Sequence, residues 1–363
     1  MPVSARERTR SRRTAEPGAR TRSRGIVAIA TLLCAAVFAA GCADKADDAS
    51  TIVRTTTNIA GAGVVGADRD TATACPTPSA PDPGGATRTV THTAGVTEVP
   101  ADPQRIVVLT SSALDAACAL GLWERVAGAV TLDGERPQPM YLGYGVLEVP
   151  SVGPIGQPDP ARIAELKPDL ILGDIPPAAG GYDALKQIAP TVLIGDGGSW
   201  QSDFAAYAAG MNRADAGTAA LRSYLTEAHG LGDALNATQS QASVLRFTPD
   251  TIQVQGTETF AAQVLSDVGV QRPTAQRGES FDIVGADLAT KAEGDIIYVM
   301  FAGPDGEEHG KRVLRSTDFE ELGAATDRRV FAVDDRIWHT TGLTAARAVL
   351  TDLSNSLNGY VTD

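Results

Sequence analysis

Arginine and aromatic side chains follow several predicted strands of this 363-residue chain. Arginine binds carboxylate-like oxygens through paired hydrogen bonds, and aromatic rings cover the apolar body of a ligand. Because ligands of open α/β sheets bind beyond the carboxyl ends of the strands, we expect these side chains to converge there. The candidate ligand-binding residues are Tyr141, Tyr144, Trp200, Arg246, Arg277, Arg336 and Trp338.

Structural roles compete with binding roles for some of these positions. Arg246 lies inside a predicted strand and could instead form a surface ion pair. Ser111 could contact a ligand or cap the helix that follows it. We interpret Trp123 as a packing residue, since large aromatic side chains usually serve a core. Trp200 and Trp338 fall in predicted loops, where packing explains a large aromatic less well, so we expect both to face the ligand.

The sequence lacks the motifs of several common enzyme classes. It contains no Walker P-loop and no G-x-S-x-G elbow, and its four histidines are too scattered to form a helix-borne metal-binding pair. Residues 61–66 (GAGVVG) match the dinucleotide fingerprint, but they follow a polar stretch rather than a buried strand. We therefore expect a binding protein that is not an enzyme, with no cofactor and no metal held by the protein itself.

Residues 1–41 have the features of a lipoprotein signal peptide. Eight arginines precede the uncharged, apolar residues 25–41, and Cys42 directly follows Ala-Ala-Gly. A basic start, a short apolar segment and small residues before the cleavage site are typical of export signals. The cysteine placement resembles a lipobox, in which the thiol is lipidated, although Ala39 stands where Leu is usual. The alternative is an uncleaved membrane anchor, for which the apolar run is slightly short of the ~20 residues required.

The rest of the chain is acidic and has two cysteines. Removing residues 1–41, with eight Arg and two Glu, shifts the formal net charge from −13 to −19. Such a charge argues against nucleic acid as a partner, because affinity for nucleic acid comes from cationic contacts to phosphate. Cys75 and Cys118 remain after the cysteines of the signal and the anchor are set aside. In an exported protein, two such thiols suggest one disulfide.

The pattern of hydrophobic residues divides the chain into segments. Residues 42–86 are rich in Ala, Thr, Asp, Gly and Pro without a clear period, which favours a flexible tether. Strands alternate with helices in residues 87–200 and again in residues 241–363, which predicts βαβ units. Residues 201–240 carry no strand signal and predict a helical connector. The predicted fold class is α/β, with two Rossmann-like lobes of mostly parallel sheets joined by one long connector helix.

Four segments together resemble a known family. They are residues 96–122, 151–174, 182–194 and 329–353, in that order and behind a lipobox. The chain is similar to the periplasmic iron(III)-siderophore and iron(III)-dicitrate binding lipoproteins of ABC importers, a group that also includes haem and cobalamin binders. The resemblance spans roughly residues 88–358 and implies a bilobed substrate-binding protein with a rigid connector helix. The added N-terminal segment and the two body cysteines look like an actinobacterial variant.

The resemblance implies a ligand and partners. The ligand would be a ferric siderophore or a similar iron chelate, delivered to the permease and ATPase of an ABC importer by a monomer anchored outside the membrane. Haem, with His339 as a candidate axial ligand, or a corrinoid is the alternative within the same fold. A cell-envelope scaffold with a vestigial cleft is an alternative of another class. Family members dock their permease through an acidic residue on each lobe, for which Glu148 and Asp287 are the candidates.

The lipobox predicts that Cys42 alone attaches the protein to the membrane. Cys42→Ala is expected to move the protein into the soluble fraction, since the sequence has no second hydrophobic run of membrane-spanning length. Fractionation of cells, followed by an alkaline wash of the membranes, measures this. Retention of the variant on washed membranes would contradict the lipid anchor.

Overall fold

The computed structural model describes residues 54–134, 136–176, 181–195, 198–284 and 287–362. The proposed signal peptide, the lipidation site Cys42 and the beginning of the predicted tether lie outside these residues. Within the described ranges, no helix is both long enough and apolar enough to cross a membrane.

Strands and helices alternate along most of the chain. The strands of the described residues are β1 (Arg54–Thr55), β2 (Asn58–Ile59), β3 (Ala62–Val64), β4 (Thr87–His92), β5 (Gly95–Pro100), β6 (Ile106–Val108), β7 (Val126–Thr131), β8 (Ser151–Pro154), β9 (Leu170–Gly173), β10 (Thr191–Leu193), β11 (Ala242–Phe247), β12 (Ile252–Val254), β13 (Phe281–Ile283), β14 (Ile296–Phe301), β15 (Val330–Ala332) and β16 (Tyr360–Val361). The α-helices of the same residues are α1 (Ser111–Ala119), α2 (Pro160–Glu165), α3 (Gly181–Ile188), α4 (Trp200–Gly210), α5 (Ala214–Leu235), α6 (Phe260–Val268), α7 (Leu288–Lys291), α8 (Gly303–Leu314), α9 (Thr317–Glu320), α10 (Gly323–Thr326), α11 (Asp335–Trp338) and α12 (Leu343–Ser354).

The first lobe is built on a parallel sheet with the strand order β10-β9-β6-β7-β8. Its central strand β6 has the sequence Ile-Val-Val and is fully buried, as expected for a parallel strand that is covered on both faces. Helix α2 begins where the sequence predicts, with Asp159 as N-cap and Pro160 in the first turn. The predicted α/β lobe is confirmed.

The second lobe is built on a mixed sheet with the strand order β13-β12-β11-β14-β15-β3-β2. Strands β11, β14, β15 and β3 run parallel, while β12 and β2 are each antiparallel to a neighbour. Two strands of this sheet, β2 and β3, come from the region before residue 87. The predicted α/β fold class is confirmed, and the second sheet includes strands from the start of the described chain.

Helices α4 and α5 form the predicted connector between the lobes. Helix α4 ends near Asn212, whose positive φ of 58° turns the chain before α5 begins. The carboxylate of Asp82 accepts hydrogen bonds from the backbone N–H groups of Ala214 (2.7 Å) and Asp215 (3.1 Å), which stabilises the N-terminus of α5.

Residues 54–86, which we call the strap, correct the prediction of a flexible tether in residues 42–86. The strap pairs β1 with β16 and β3 with β15, and a disulfide joins its Cys75 to Cys118 of α1. Its Arg69 forms a salt bridge with the fully buried Asp352 of α12. The strap therefore contacts both lobes. Its order comes from pairing with distant residues rather than from local periodicity, which explains why its composition predicted a tether.

The glycines of residues 61–66 have a packing role. They lie in and after the β2–β3 hairpin, where a Cβ atom at Gly63 would lie only 2.7 Å from Cγ2 of Val361. Gly66 has a φ of 79°, a backbone conformation that favours glycine. Close packing at Gly63 and positive φ angles at Gly61 (90°) and Gly66 thus account for the three glycines of this motif.

A buried carboxylate joins helix α1 of the first lobe to helix α12 of the second. Asp115 is fully buried, and its two oxygens accept hydrogen bonds from the backbone N–H groups of Thr344 and Ala345, each at 2.9 Å. Gly342 leaves room for this carboxylate, because a Cβ atom there would lie 2.2 Å from Cγ of Asp115. Burial raises the pKa of Asp115 to about 6, against the opposing effect of the two N–H donors.

The raised pKa of Asp115 predicts a pH-dependent contribution to stability. Because the folded-state pKa of about 6 exceeds the ordinary value of 3.8, the contribution of Asp115 is complete below pH 4 and is lost as the pH rises through 6. Relative to Asp115→Asn, the wild-type free energy of unfolding should fall by about 3 kcal/mol across this window.

Urea unfolding of both proteins between pH 4 and 7 measures this difference. Asp318→Asn, which removes an exposed carboxylate, is the matched control. A difference between wild type and Asp115→Asn that stays constant with pH would contradict the assignment.

Candidate ligand-binding cleft

The N-terminus of α1 forms the first-lobe side of a cleft at the carboxyl ends of the strands. Thr110 is the N-cap of this helix, since its side chain accepts a hydrogen bond from the N–H of Ala113 at 3.1 Å. Ser111 is therefore not the cap. The hydroxyl of Tyr207 lies 3.1 Å from Oγ1 of Thr110 and 3.4 Å from Oγ of Ser112. Burial raises the pKa of Tyr207 to about 12, so its hydroxyl remains protonated at neutral pH.

A paired arginine forms part of the second-lobe side. Arg246, near the end of β11, donates from Nε to Oδ1 of Asp335 at 2.6 Å and from a terminal nitrogen to Oδ2 at 3.0 Å. Asp335 begins α11, directly after β15. Both side chains are about four-fifths buried, at 18% and 21% exposure. Arg246 therefore forms an ion pair, as one alternative proposed, but the pair is largely buried rather than on the surface.

One arginine reaches across the cleft. Arg336 of α11 donates from a terminal nitrogen to the backbone carbonyl of Asp133, which lies in the first-lobe loop after β7, at 3.4 Å. The carboxylate of Asp334 caps the same short helix by accepting from the N–H of Arg336 at 2.9 Å. Among the predicted arginines, Arg336 thus lies where both lobes can contact one ligand.

Two groups of residues from opposite lobes meet at the base of the cleft. A shallow depression there is lined by Ser112 of the first lobe, by Asp203 and Tyr207 of the connector, and by Thr341 and Gly342 of the second lobe. The depression places the hydroxyls at the N-terminus of α1 against the loop between α11 and α12. Trp200 and Phe204 also line this depression, so the base of the cleft combines apolar and polar residues of both lobes.

The imidazole of His339 lies beside the Arg246–Asp335 pair. His339 is exposed as a whole, but partial desolvation of its ring, followed by the charge of Arg246, lowers its pKa below the ordinary value, while Asp335 acts in the opposite direction. A lowered pKa keeps His339 neutral at pH 7. Within the residues that the structure describes, no group of three or more His, Cys, Asp or Glu side chains could hold a metal ion.

Trp200 and Trp338, both predicted to face the ligand, are core residues. Trp200 is 2% exposed and packs edge-on against Tyr224, at 4.9 Å between ring centroids, and against Phe260, at 5.8 Å. Trp338 is 1% exposed and lies against Tyr298 at 4.6 Å. Their segments form the helices α4 and α11 rather than loops, and these helices turn both rings inward.

The tyrosines of the first lobe also differ from the prediction. Tyr141 is buried beside Asp115, and burial together with that negative charge raises the pKa of its hydroxyl well above the ordinary value. Tyr144 is highly exposed, but it lines a cavity of about 400 Å³ with Trp123 and the strap residue Cys75. The first tyrosine supports the contact between the lobes, and the second faces the strap.

Arg277 lies on the exposed surface of the second lobe. It follows the 3-10 helix Thr274–Gln276, and its Nε donates to the carbonyl of Arg272 at 2.9 Å. The described hydrogen bonds connect Arg277 to this loop and not to Arg246 or Arg336. The structure therefore does not bring the three predicted arginines together.

The two proposed docking residues are exposed, one on each lobe. Glu148 ends the 3-10 helix Tyr144–Glu148, and Asp287 precedes α7. Exposure is what contact with a permease requires, and the docking role itself stays a prediction.

Acidic residues at the carboxyl ends of the strands were not among the predicted site residues. Asp133, Asp174 and Asp335 follow β7, β9 and β15, which is the same kind of position as that of the predicted arginine and aromatic residues. The signal was present, because the same rule about carboxyl ends of strands applies to every side chain in these segments.

Two α/β lobes, a helical connector and a cleft at the carboxyl ends of the strands define a bilobed solute-binding protein. The chain belongs to the periplasmic binding protein family, whose model matches residues 106–337. Members of this family act outside the cytoplasm as binding proteins.

Curated relatives and solved structures agree with this assignment. The chain is 31% identical over 283 residues to the probable siderophore-binding lipoprotein YfiY of Bacillus subtilis, covering 74% of this chain and 86% of the relative. It is 28% identical over 256 residues to the Fe(3+) dicitrate-binding periplasmic protein FecB of Escherichia coli, covering 69% of this chain and 83% of the relative. The structure of Staphylococcus aureus SirA complexed with staphyloferrin B has the same fold, with a TM-score of 0.64 at 22% identity, covering 75% of this chain and 99% of SirA.

The core position of Trp338 predicts a loss of stability when its indole N–H is removed. That N–H donates to Oδ2 of the buried Asp352 at 2.8 Å. Trp338→Phe should leave this oxygen without its indole donor and lower the free energy of unfolding by roughly 1–3 kcal/mol.

Urea unfolding followed by far-ultraviolet circular dichroism measures the effect of Trp338→Phe. Tyr144→Phe, at a highly exposed aromatic ring, is the control and should change stability by less than about 0.5 kcal/mol. Equal stability of Trp338→Phe and wild type would show that the core assignment is wrong.

Proposed function

We propose that the protein captures a ferric siderophore, or a similar iron chelate, in the cleft between its lobes and delivers it to an ABC importer. One observation carries the proposal: a relative named as a probable siderophore-binding lipoprotein matches this chain over 86% of its own length. In the structure, Arg336 of the second lobe contacts the first lobe at the edge where a ligand would bind. The achromobactin-binding periplasmic protein of Dickeya dadantii, at 25% identity, supports the same ligand class.

The side chains of the cleft suit a chelate better than a bare ion. The hydroxyl of Ser112, which the buried Tyr207 orients, and the guanidinium of Arg336 can hydrogen-bond to oxygens on the surface of a ligand. The described residues offer no cluster that could coordinate iron directly. Iron would therefore enter the cleft with its coordination sphere already filled by the chelator.

The protein's oligomeric state, membrane anchor and transport partner follow from the same function. We propose a monomer without catalytic activity, anchored through a lipid on Cys42, that presents Glu148 and Asp287 to the permease. Names of relatives as lipoproteins support the anchor, and the exposed positions of the two carboxylates support the docking role. Delivery would need only a small closing motion, since Asp115 and the strap already join the lobes.

Native mass spectrometry of the mature protein with a panel of ferric chelates and haem tests the proposed ligand class. We expect a one-to-one complex with at least one ferric chelate. Arg336→Ala should weaken this complex about tenfold or more, because the side chain contacts the ligand from the second lobe. Lys311→Ala, which removes a cation on the outer helix α8, is the matched control.

Two outcomes would contradict the proposed function. Binding of haem without binding of any ferric chelate would replace the ligand. Absence of binding to the whole panel by folded protein would favour a cell-envelope scaffold.

A further inference from the structure

Helices α1 and α12 are joined directly by Asp115 and a second time through the strap. We infer that the strap limits how far the two lobes can open. When the contact at Asp115 breaks, the strap keeps α1 and α12 close together, so that the contact re-forms. Such a restraint acts in the ligand-free protein, whatever ligand the cleft binds.

The two connections attach to neighbouring points of α1. Asp115 and Cys118 lie about one helical turn apart in this helix, and both are fully buried. Asp115 accepts hydrogen bonds from the first turn of α12, whereas Cys118 is bonded to Cys75 of the strap. A movement that separates α1 from α12 therefore acts on both connections together.

The strap also attaches to α12. The guanidinium of Arg69 donates to the backbone carbonyl of Ala348 at 3.0 Å and forms the salt bridge with Asp352. Ala348 lies about one turn after the residues of α12 that donate to Asp115. The side chain of Arg69 is 12% exposed and that of Asp352 is fully buried, so water competes little for this attachment. The strap thus connects the same two helices as the direct contact does.

The chain between the two attachments of the strap is short. Residues 70–74, which we call the link, separate Arg69 from Cys75. A fully extended chain spans at most ~3.6 Å per residue, so the Cα atoms of Arg69 and Cys75 can lie no more than about 22 Å apart. In the structure the link is not extended, since the N–H of Ala74 donates to the carbonyl of Thr71 at 3.2 Å. Straightening of this turn allows the lobes a limited movement before the link becomes taut.

Cavities on both sides leave the link room to change shape. Thr71 and Ala72 of the link line a cavity of about 400 Å³ together with Trp123 of the first lobe. Thr73 and Ala74 line a second cavity, of about 650 Å³, together with residues of α12. A close-packed segment could not straighten without displacing its neighbours, whereas the link has open space beside it.

The strap is held to a lobe on each side of the link. Before the link, β1 and β3 pair with β16 and β15 of the second lobe. After the link, the hydroxyl of Ser79 donates to the carbonyl of Leu120 at 2.7 Å, and the carboxylate of Asp82 accepts from the N-terminus of α5. Because both sides are held, movement of the lobes stretches the link rather than detaching the strap.

Hydrogen exchange of the amides of Thr344 and Ala345 measures opening of the lobes, because Asp115 accepts from both N–H groups. Gly-Ser repeated three times and inserted between Ala72 and Thr73 about doubles the length of the link. Doubling a flexible loop lowers the probability that its ends meet by about threefold. We therefore expect the two amides to exchange about threefold faster in the mature, ligand-free variant than in wild type.

The same insertion between Gly84 and Gly85 is the control, since it lengthens the strap beyond its attachments to the first lobe and the connector. It should leave the exchange of Thr344 and Ala345 unchanged, and amides of the buried strand β6 should keep their wild-type rates in both insertion variants. Equal exchange of Thr344 and Ala345 in the two variants would overturn the inference. Equal acceleration in β6 would do the same, because it would show a general loss of stability.

Removal of the disulfide tests whether the link ends at Cys75. In Cys75→Ser/Cys118→Ser, the next attachment of the strap to α1 is the hydrogen bond from Ser79 to Leu120, which can itself open. The insertion after Ala72 should therefore change the exchange of the α12 amides by less than about 1.5-fold in this background. A threefold effect both with and without the disulfide would contradict a restraint through Cys75. If the serine variant does not fold, the comparison of the two insertions decides alone.

Discussion

The hydrogen bonds of Asp115 to the start of α12 fix the contact between the lobes. A buried carboxylate is costly unless donors satisfy it, and the two N–H groups that do so belong to the other lobe. Helix α1 carries Ser112, and α12 follows directly after the loop that carries Thr341. The contact between Asp115 and α12 therefore also sets the distance between the two sides of the cleft. Ligand recognition therefore depends on a polar contact that no ligand needs to touch.

The strap adds a second connection between the lobes. It is bonded to α1 through Cys75, paired with the second sheet through β1 and β3, and joined to α12 through Arg69. The family model begins only at residue 106, and three quarters of this chain suffices to cover almost all of SirA. The strap lies before the part of the chain that the family model matches, and its contacts tie both lobes together.

The sequence predicted the elements whose signal is local and missed contacts between distant residues. The buried run of β6, the cap of α2 and the strand-free connector were each readable from residues that are contiguous in the sequence. The partner of Arg246 lies 89 residues away, and β1 pairs with the last described strand, so neither could be inferred from spacing. The inward direction of Trp338 was missed because a helix of four residues has too few positions to show a period.

The pairing of β3 with β15 also protects an edge of the second sheet. Without the strap, β15 would present a row of unpaired backbone N–H and C=O groups to solvent, next to apolar residues of the core. Such an open edge is a template for association with strands of other molecules. The first described strands therefore cover the edge at β15 and leave the two-residue strand β2 as the outer edge of the sheet.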